Sequence, residues 1–527
     1  MLHRRSATFA AASLAVSGLL VLAACGGSVG DKSGSGGKTS TTITVGTTDK
    51  VISFDPAGAY DQGSWTIIQN LYQHLMAVAP GASKATPEAA QSCAYTTPTA
   101  YTCTMRPGLT FSNGDPLDAA AVAFTFNRIA KINDPKGPSS LVLNIKKATA
   151  QGNKVTLTLG TPDQTIPLLL AGGEGALVDP KVFPANKVLD SAKVIGSGPY
   201  KLDKYDVGTQ VVLSKNPKYK GDDKINNDKV IVSYKQKASD LKLSLENADV
   251  DVAYRTLTPT DLKSLASESS KGVKVVYGPG AEIRYIDFDT TLQPGKQKAA
   301  RQAAAYLIDR QKIATDVYDG QVQPLYSIVP QGLFGATQPF KDEYGTTPDL
   351  TKAKAALKAA HISTPVNMTL WWNPDHYGEL SSDEYAAIEK QLETGGLFKV
   401  TRRSVDWNTY DEDSKKHAYP VYELGWFPDY PDADDYLTPF FPKGGFANTG
   451  YDNPALDKLI DQQRGEQDQT KRLALLTQAQ QIVAQDVPLI PVWQGKQNAG
   501  VRSNITGVQN TFDASFNFRF WLVGKTK

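Results

Sequence analysis

The sequence predicts an α/β protein of at least two domains joined by extended crossing strands. Three observations lead there. Strand-like and helix-like segments are mixed along almost the whole chain, the pattern of layered architectures that combine sheets with helices. The chain has 527 residues, too many for one hydrophobic core. Beyond residue 41 it has neither a repeat of fixed period nor a low-complexity linker, so the domains are expected to be joined by structured strands.

In chain order, strands are predicted at TTITVG (41–46), KVTLTLG (154–160), TQVVLSKN (209–216), KVIVSYK (229–235), KVVYG (274–278), RYIDFDT (284–290) and VNMTLWW (366–372). Helices are predicted at 64–76, 118–130, 298–318, 349–360, 383–396 and 471–485. Asp118 and Asp349 stand where a helix N-cap is wanted, and Ser381-Ser382 followed by Asp383-Glu384 reads as another start. Val122, Phe126 and Ile129 recur at helical spacing and mark the apolar face of the second helix.

The first residues read as an address. His3, Arg4 and Arg5 precede an apolar run from Ala7 to Ala24 and then LAAC, Leu22 to Cys25, the layout of a signal peptide spanning 1–24. LAAC resembles the bacterial lipobox, which makes Cys25 the residue to carry a lipid anchor, and the Gly/Ser-rich stretch 25–41 reads as its tether. An uncleaved membrane helix is the alternative, against which the shortness of the apolar run argues. The body is then expected on the outer face of a bacterial cytoplasmic membrane.

Removing residues 1–24 takes away two of 56 basic residues and none of 54 acidic ones, leaving 54 against 54. A neutral body argues against nucleic acid as a partner. Cys93 and Cys103 bracket a short alternating segment interrupted by Pro98, and an oxidising compartment favours a disulfide closing a hairpin there. They are a poor zinc site without a nearby histidine, and no metal or cofactor is expected.

The densest chemistry lies in WFPDYPDADDYLTPFF, Trp426 to Phe441, with four carboxylates and six aromatic rings in sixteen residues. A calcium loop starting at Asp429 would need glycine sixth and glutamate twelfth, where Asp434 and Phe440 stand. A glycosidase pair needs a second carboxylate across the sugar, to which nothing in the sequence points. There is no nucleophile elbow and no HExxH, and the five histidines (3, 74, 361, 376 and 417) lack ligand spacing. GSGPY at 196–200 has two glycines around Ser197 but no completing phosphate-loop residues, so it reads as a tight turn. What remains is a cation grip: an ammonium taken out of water needs a carboxylate in contact, and aromatic faces add cation-π attraction.

Five stretches together resemble the extracytoplasmic solute-binding proteins of peptide and nickel ABC importers. They are SFDPAGAYDQGSWTIIQNLYQHL (53–75), YTCTMRPGLTFSNGDPLDAAAVAFTFNRI (101–129), VIGSGPYKLDKYDVGTQVVLSKNPKYKGD (194–222), KAARQAAAYLIDRQKI (298–313) and the DYPDA segment, in the family's order across residues 42–527. Ala120 and Ala121 depart from it where an acidic residue is common.

The resemblance implies a two-lobed periplasmic-binding-protein-like fold of the large type, with an extra subdomain in the first lobe. The first lobe takes 42–283 and the returning 492–527, the second 284–491, and strands near EIRYIDFD and PLIPVWQG form the hinge. It implies no enzyme activity, a short-peptide ligand and an ABC permease with its ATPases as partners. The receptor itself is expected to be a monomer.

In peptide-binding members the position of Asp429 holds the ligand's α-ammonium, and Trp426 and Trp407, nineteen residues apart, are pocket residues. Gly425 and Phe427, with Tyr60, Asp61 and Gln62 from the other lobe, would offer backbone groups to an extended ligand. Asp432, Asp434 and Asp435 are expected to cap the following turn or face solvent, and Trp371 and Trp493 to be core. Glu423 occupies a position where some members carry an arginine for the ligand carboxylate. Nickel chelates, oligosaccharides and cationic metabolites are therefore alternative ligands, and a secreted hydrolase using Asp429 is the alternative of another class.

Overall fold

Ile43 and Val45 point into one face of the strand Thr42–Thr47 and are buried, and from this strand a mixed sheet spreads in both directions. The computed structural model describes residues 41–526 except Ser191, Gly444 and Phe446; the leader, Cys25 and the Gly/Ser stretch before residue 41 lie outside the described residues. The sheet has eleven strands. From one edge they run Phe398–Ser404, Val366–Trp372, Val421–Trp426, Val273–Phe288, Leu489–Arg502, Val252–Tyr254, Thr42–Thr47, Lys229–Tyr234, Gln210–Lys215 and Tyr200–Asp206, with Val322–Pro324 added beside Leu489–Arg502.

Two strands carry this sheet from one lobe to the other. Val273–Phe288 and Leu489–Arg502 pair antiparallel over nearly their whole lengths, Val273 opposite Arg502 at one end and Asp287 opposite Leu489 at the other. Their register shifts twice, between Pro279 and Ile283 and again between Arg284 and Tyr285, so an irregular step separates the two ends of the ladder. KVVYG and RYIDFDT are thus two parts of one strand of sixteen residues. The fold is a two-lobed α/β architecture.

A second, antiparallel sheet of four strands, in the order Ala90–Thr97, Ala100–Met105, Lys154–Leu159, Ile145–Gln151, forms a separate small core. The helix Ala119–Ile132 covers it, burying Val122, Phe126 and Ile129, and Asp118 caps its start by accepting from the amides of Ala120 and Ala121 at 3.0 Å each. Cys93 and Cys103 face each other across the hairpin and their sulfurs are bonded.

Two helices are shorter than their apolar patterns predict, for the same physical reason. The helix predicted to reach Met76 ends at Leu71, whose carbonyl accepts from Gly198 at 2.8 Å. The glycines of GSGPY are what allow that approach, since a Cβ on Gly196 would sit 2.0 Å from the same carbonyl oxygen. The helix predicted over 298–318 stops at Leu307, because the Tyr306 carbonyl accepts from the Asp349 amide at 2.9 Å and Ile308 turns extended. Asp309 then caps a short new helical turn. In both places a tertiary hydrogen bond takes the carbonyl that another helical turn would use.

Candidate ligand site

The strand Val421–Trp426 lies against the first crossing strand, with Gly425 opposite Arg284 and Trp426 opposite Ile283. Past Trp426 the chain leaves the sheet through Phe427 and Pro428, and Asp432 caps a tight turn over Ala433–Tyr436 by accepting from the Asp434 amide at 2.9 Å. That turn folds Asp435 back beneath Trp426. One oxygen of Asp435 accepts from the Trp426 indole at 3.1 Å and from the Asp429 amide at 2.9 Å, which fixes both residues at the end of the strand.

Asp429 meets the opposite wall. Its Oδ2 accepts from the Tyr60 hydroxyl at 2.8 Å, and Tyr60 immediately precedes the helix Gln62–Leu71. Asp61 caps this helix by accepting from the Ser64 amide at 2.8 Å, and the Gln62 side chain donates to the Phe516 carbonyl at 2.8 Å. Phe427 packs edge-on against Phe516, with the Arg255 guanidinium 5.1 Å from its ring centre. Tyr60 thus reaches Asp429 through its side chain, while Asp61 and Gln62 hold the helix start that positions it.

Charge is the unusual property of this junction. Burial pushes Asp429 up to about 7, with the hydrogen bond from Tyr60 working in the other direction. Asp435 is held well above the usual carboxylate range by burial and then by Asp429. Among the described residues, no lysine, arginine or histidine forms an ion pair with either carboxylate. Such a group invites a cation from outside, since a buried charge without a partner costs several kcal/mol.

The model of the bacterial extracellular solute-binding proteins, family 5, middle, matches residues 84–448. The chain belongs to this family. It is a solute-binding protein and not an enzyme. It is 24% identical over 476 residues to the dipeptide-binding protein DppE of Bacillus subtilis, covering 84% of each chain. The solved ABC transporter substrate-binding protein CtaP of Listeria monocytogenes superposes with a TM-score of 0.81 at 22% identity, covering 93% of this chain and 100% of that one. The Helicobacter pylori DppA, solved with the peptide STSA, superposes with a TM-score of 0.76 at 21% identity over 92% and 98% of the chains.

In this solute-binding protein the other predicted residues fall into two groups. Trp426, Phe427, Asp429 and Tyr60 meet at the junction just described. Trp407 belongs to a second group, on the wall beside Gly425: it opens the helix Trp407–Ser414 and stacks on His376 at 3.7 Å, 7° from parallel. Tyr377 joins this wall to the strand, with its ring edge toward Trp407 and its face 4.2 Å from the Arg284 guanidinium. On its other side Arg284 faces Trp493 at 4.9 Å, and it pairs with Glu282 at 2.7 Å. Gly425 leaves it the room, since a Cβ there would lie 2.4 Å from Nη1.

Glu423, two residues before Gly425, is wholly buried and accepts from the Asn373 amide and the Ser381 hydroxyl at 3.1 Å each. It is pushed up to about 8 by burial and then by Glu384, while Arg284 opposes the shift. The Ser381 hydroxyl is therefore spent on Glu423 and does not cap its helix.

The remaining acids of the stretch do not face solvent. Asp432 takes a two-pronged pair from Arg472 at 2.6 and 2.8 Å, and Asp434 accepts from Tyr430 at 2.8 Å, from Thr438 at 2.6 Å and from Gln463. Sequence reasoning missed Arg284 and the role of Asp435. The available signal for Arg284 was an arginine within a crossing strand.

Proposed function

We propose that this protein is the lipid-anchored receptor of an ABC importer, which captures short peptides between its lobes and hands them to a membrane permease. The observation that carries this is Asp429: a partly exposed carboxylate on one wall that, among the described residues, has no cationic partner and is bonded only to a neutral hydroxyl from the other wall. The α-ammonium of a peptide would displace or join that hydroxyl. The peptide backbone would then run along Gly425 and Phe427, and Trp426 would close the pocket over it. DppE is named a dipeptide-binding protein and the Helicobacter DppA holds a peptide, which supports the same ligand class here.

In this reading the lobes are 42–283 with 492–527, and 284–491. They swing about the irregular step of the crossing strands, and a ligand touching both favours the closed form that a permease recognises. Cys25 would carry the lipid and the stretch to residue 41 the tether, leaving a monomer on the outer face of the membrane.

Native mass spectrometry of the protein without its lipid, followed by denaturation, tests the ligand class. A ladder of short peptides is expected; a sugar or a metal chelate would overturn it.

A further inference from the structure

We propose that Glu174 is a second cation subsite in the same cleft, so that the preferred ligands are peptides whose first residue carries a basic side chain. This rests on the peptide reading of Asp429 and adds to it. Glu174 sits in the turn Gly172–Ala176, and the glycines there are pressed against neighbours. A Cβ on Gly173 would lie 2.5 Å from the Trp65 indole nitrogen, and one on Gly175 would lie 2.5 Å from the Leu170 carbonyl oxygen. The turn is thus built tightly onto Trp65, and it encloses the Glu174 side chain completely, at 0% exposure.

Among the described residues neither carboxylate oxygen of Glu174 has a hydrogen-bond partner beyond its own backbone amide, and one oxygen of Asp435 has none. A core position would be better filled by an apolar side chain, because an ionised carboxylate without a partner is among the costliest groups to bury. Trp65 connects this turn to the known junction: its ring centre is 5.5 Å from that of Tyr60, whose hydroxyl rests on Asp429. Tyr60 feels the charges of Asp429, Asp435 and Glu174 together, and Glu174 feels that of Asp429.

One carboxyl group therefore touches Tyr60 and two more lie near enough to act on it through their charge, and a single α-ammonium balances one of the three. Among the described residues no three acidic, histidine or cysteine side chains lie close enough together to hold a metal ion. What fits is one molecule with two separated cations, as in a peptide headed by lysine or arginine: the α-ammonium at Asp429 and Asp435, the side-chain cation at Glu174. Reaching Glu174 would require the Tyr60 and Trp65 rings, 5.5 Å apart, to move aside.

Calorimetry with Lys-Ala-Ala and with norleucine-Ala-Ala, which has a similar chain length but no side-chain charge, tests the proposal. In the unaltered protein the lysine peptide is expected to bind roughly 30-fold more tightly, the worth of one hydrogen bond to a charged group. In Glu174→Gln the preference is expected to fall to within about 3-fold while norleucine-Ala-Ala binds as before. Equal binding of the two peptides, or a preference that survives Glu174→Gln, would overturn the subsite alone. Failure of both peptides to bind would overturn the peptide reading with it. The comparison in the unaltered protein needs no variant, so it decides even if Glu174→Gln does not fold.

Discussion

The stretch from Trp426 to Phe441 holds two pairs of acids that have opposite fates. Asp432 and Asp434 are saturated: Arg472 grips the first with both guanidinium nitrogens, and two hydroxyls and Gln463 donate to the second. Asp429 and Asp435 lie in the same stretch and receive only neutral donors, Tyr60, Trp426 and a backbone amide. A carboxylate whose cation is built into the protein holds the turn in shape. In the proposed function, one without such a cation is left for a ligand that brings it. Composition alone cannot separate the two, because both are Asp within the same seven residues, 429–435.

The strongest way to break this comparison is to remove the built-in cation. Arg472→Met leaves Asp432 buried and unpaired, and an expected loss of about 3–5 kcal/mol in urea unfolding follows, with the affinity of the folded fraction unchanged. Asp429→Asn should do the reverse. Affinity for a peptide is expected to fall by about 2–5 kcal/mol in calorimetry, while stability holds or rises because an uncompensated charge has been removed. If Asp429→Asn unfolds the protein and leaves binding intact, the two pairs have been assigned the wrong way round.

Titration sharpens the contrast further. Asp429 is raised from 3.8 to about 7 in the folded protein, so folding takes up a proton between those values. Its contribution to stability is therefore full below about 4, declines as pH rises, and levels off above about 7. Binding of a cationic ligand needs the ionised carboxylate and has the opposite slope, rising by up to about tenfold per unit until about pH 7. Calorimetry from pH 5 to 8 should show this rise, and Asp429→Asn should flatten it. The smallest effect is expected at Asp61. Loss of its cap in Asp61→Ala should cost about 1 kcal/mol of stability without changing affinity; a large affinity loss would make Asp61 a ligand contact.

Most of the architecture was legible because its signals are local. Alternating apolar residues marked the strands, and Asp118 and Asp349 marked helix starts that the structure realises through bonds to their own first turns. The helix ends at Leu71 and Leu307 were not legible, because the donors that end them, Gly198 and Asp349, are distant in sequence. The same holds in the site. Asp429 stood out through its motif, but the role of Asp435 depends on a turn that folds it under Trp426. Glu174 depends on how closely three glycines approach their neighbours. Arg284 gave no signal of its own, because its place depends on the space that Gly425 leaves across the strand pair.

The strand at the centre of the large sheet is also the last long one to be synthesised. Leu489–Arg502 pairs with Val252–Tyr254, with both halves of Val273–Phe288 and with Val322–Pro324. A nascent chain that has reached residue 488 therefore carries exposed sheet edges in both lobes, with every partner waiting for the same segment. Such pairing at long sequence separation is slow to form. The lobes consequently mature together instead of in order of synthesis, and the unfinished chain lacks the central staple on which either could settle.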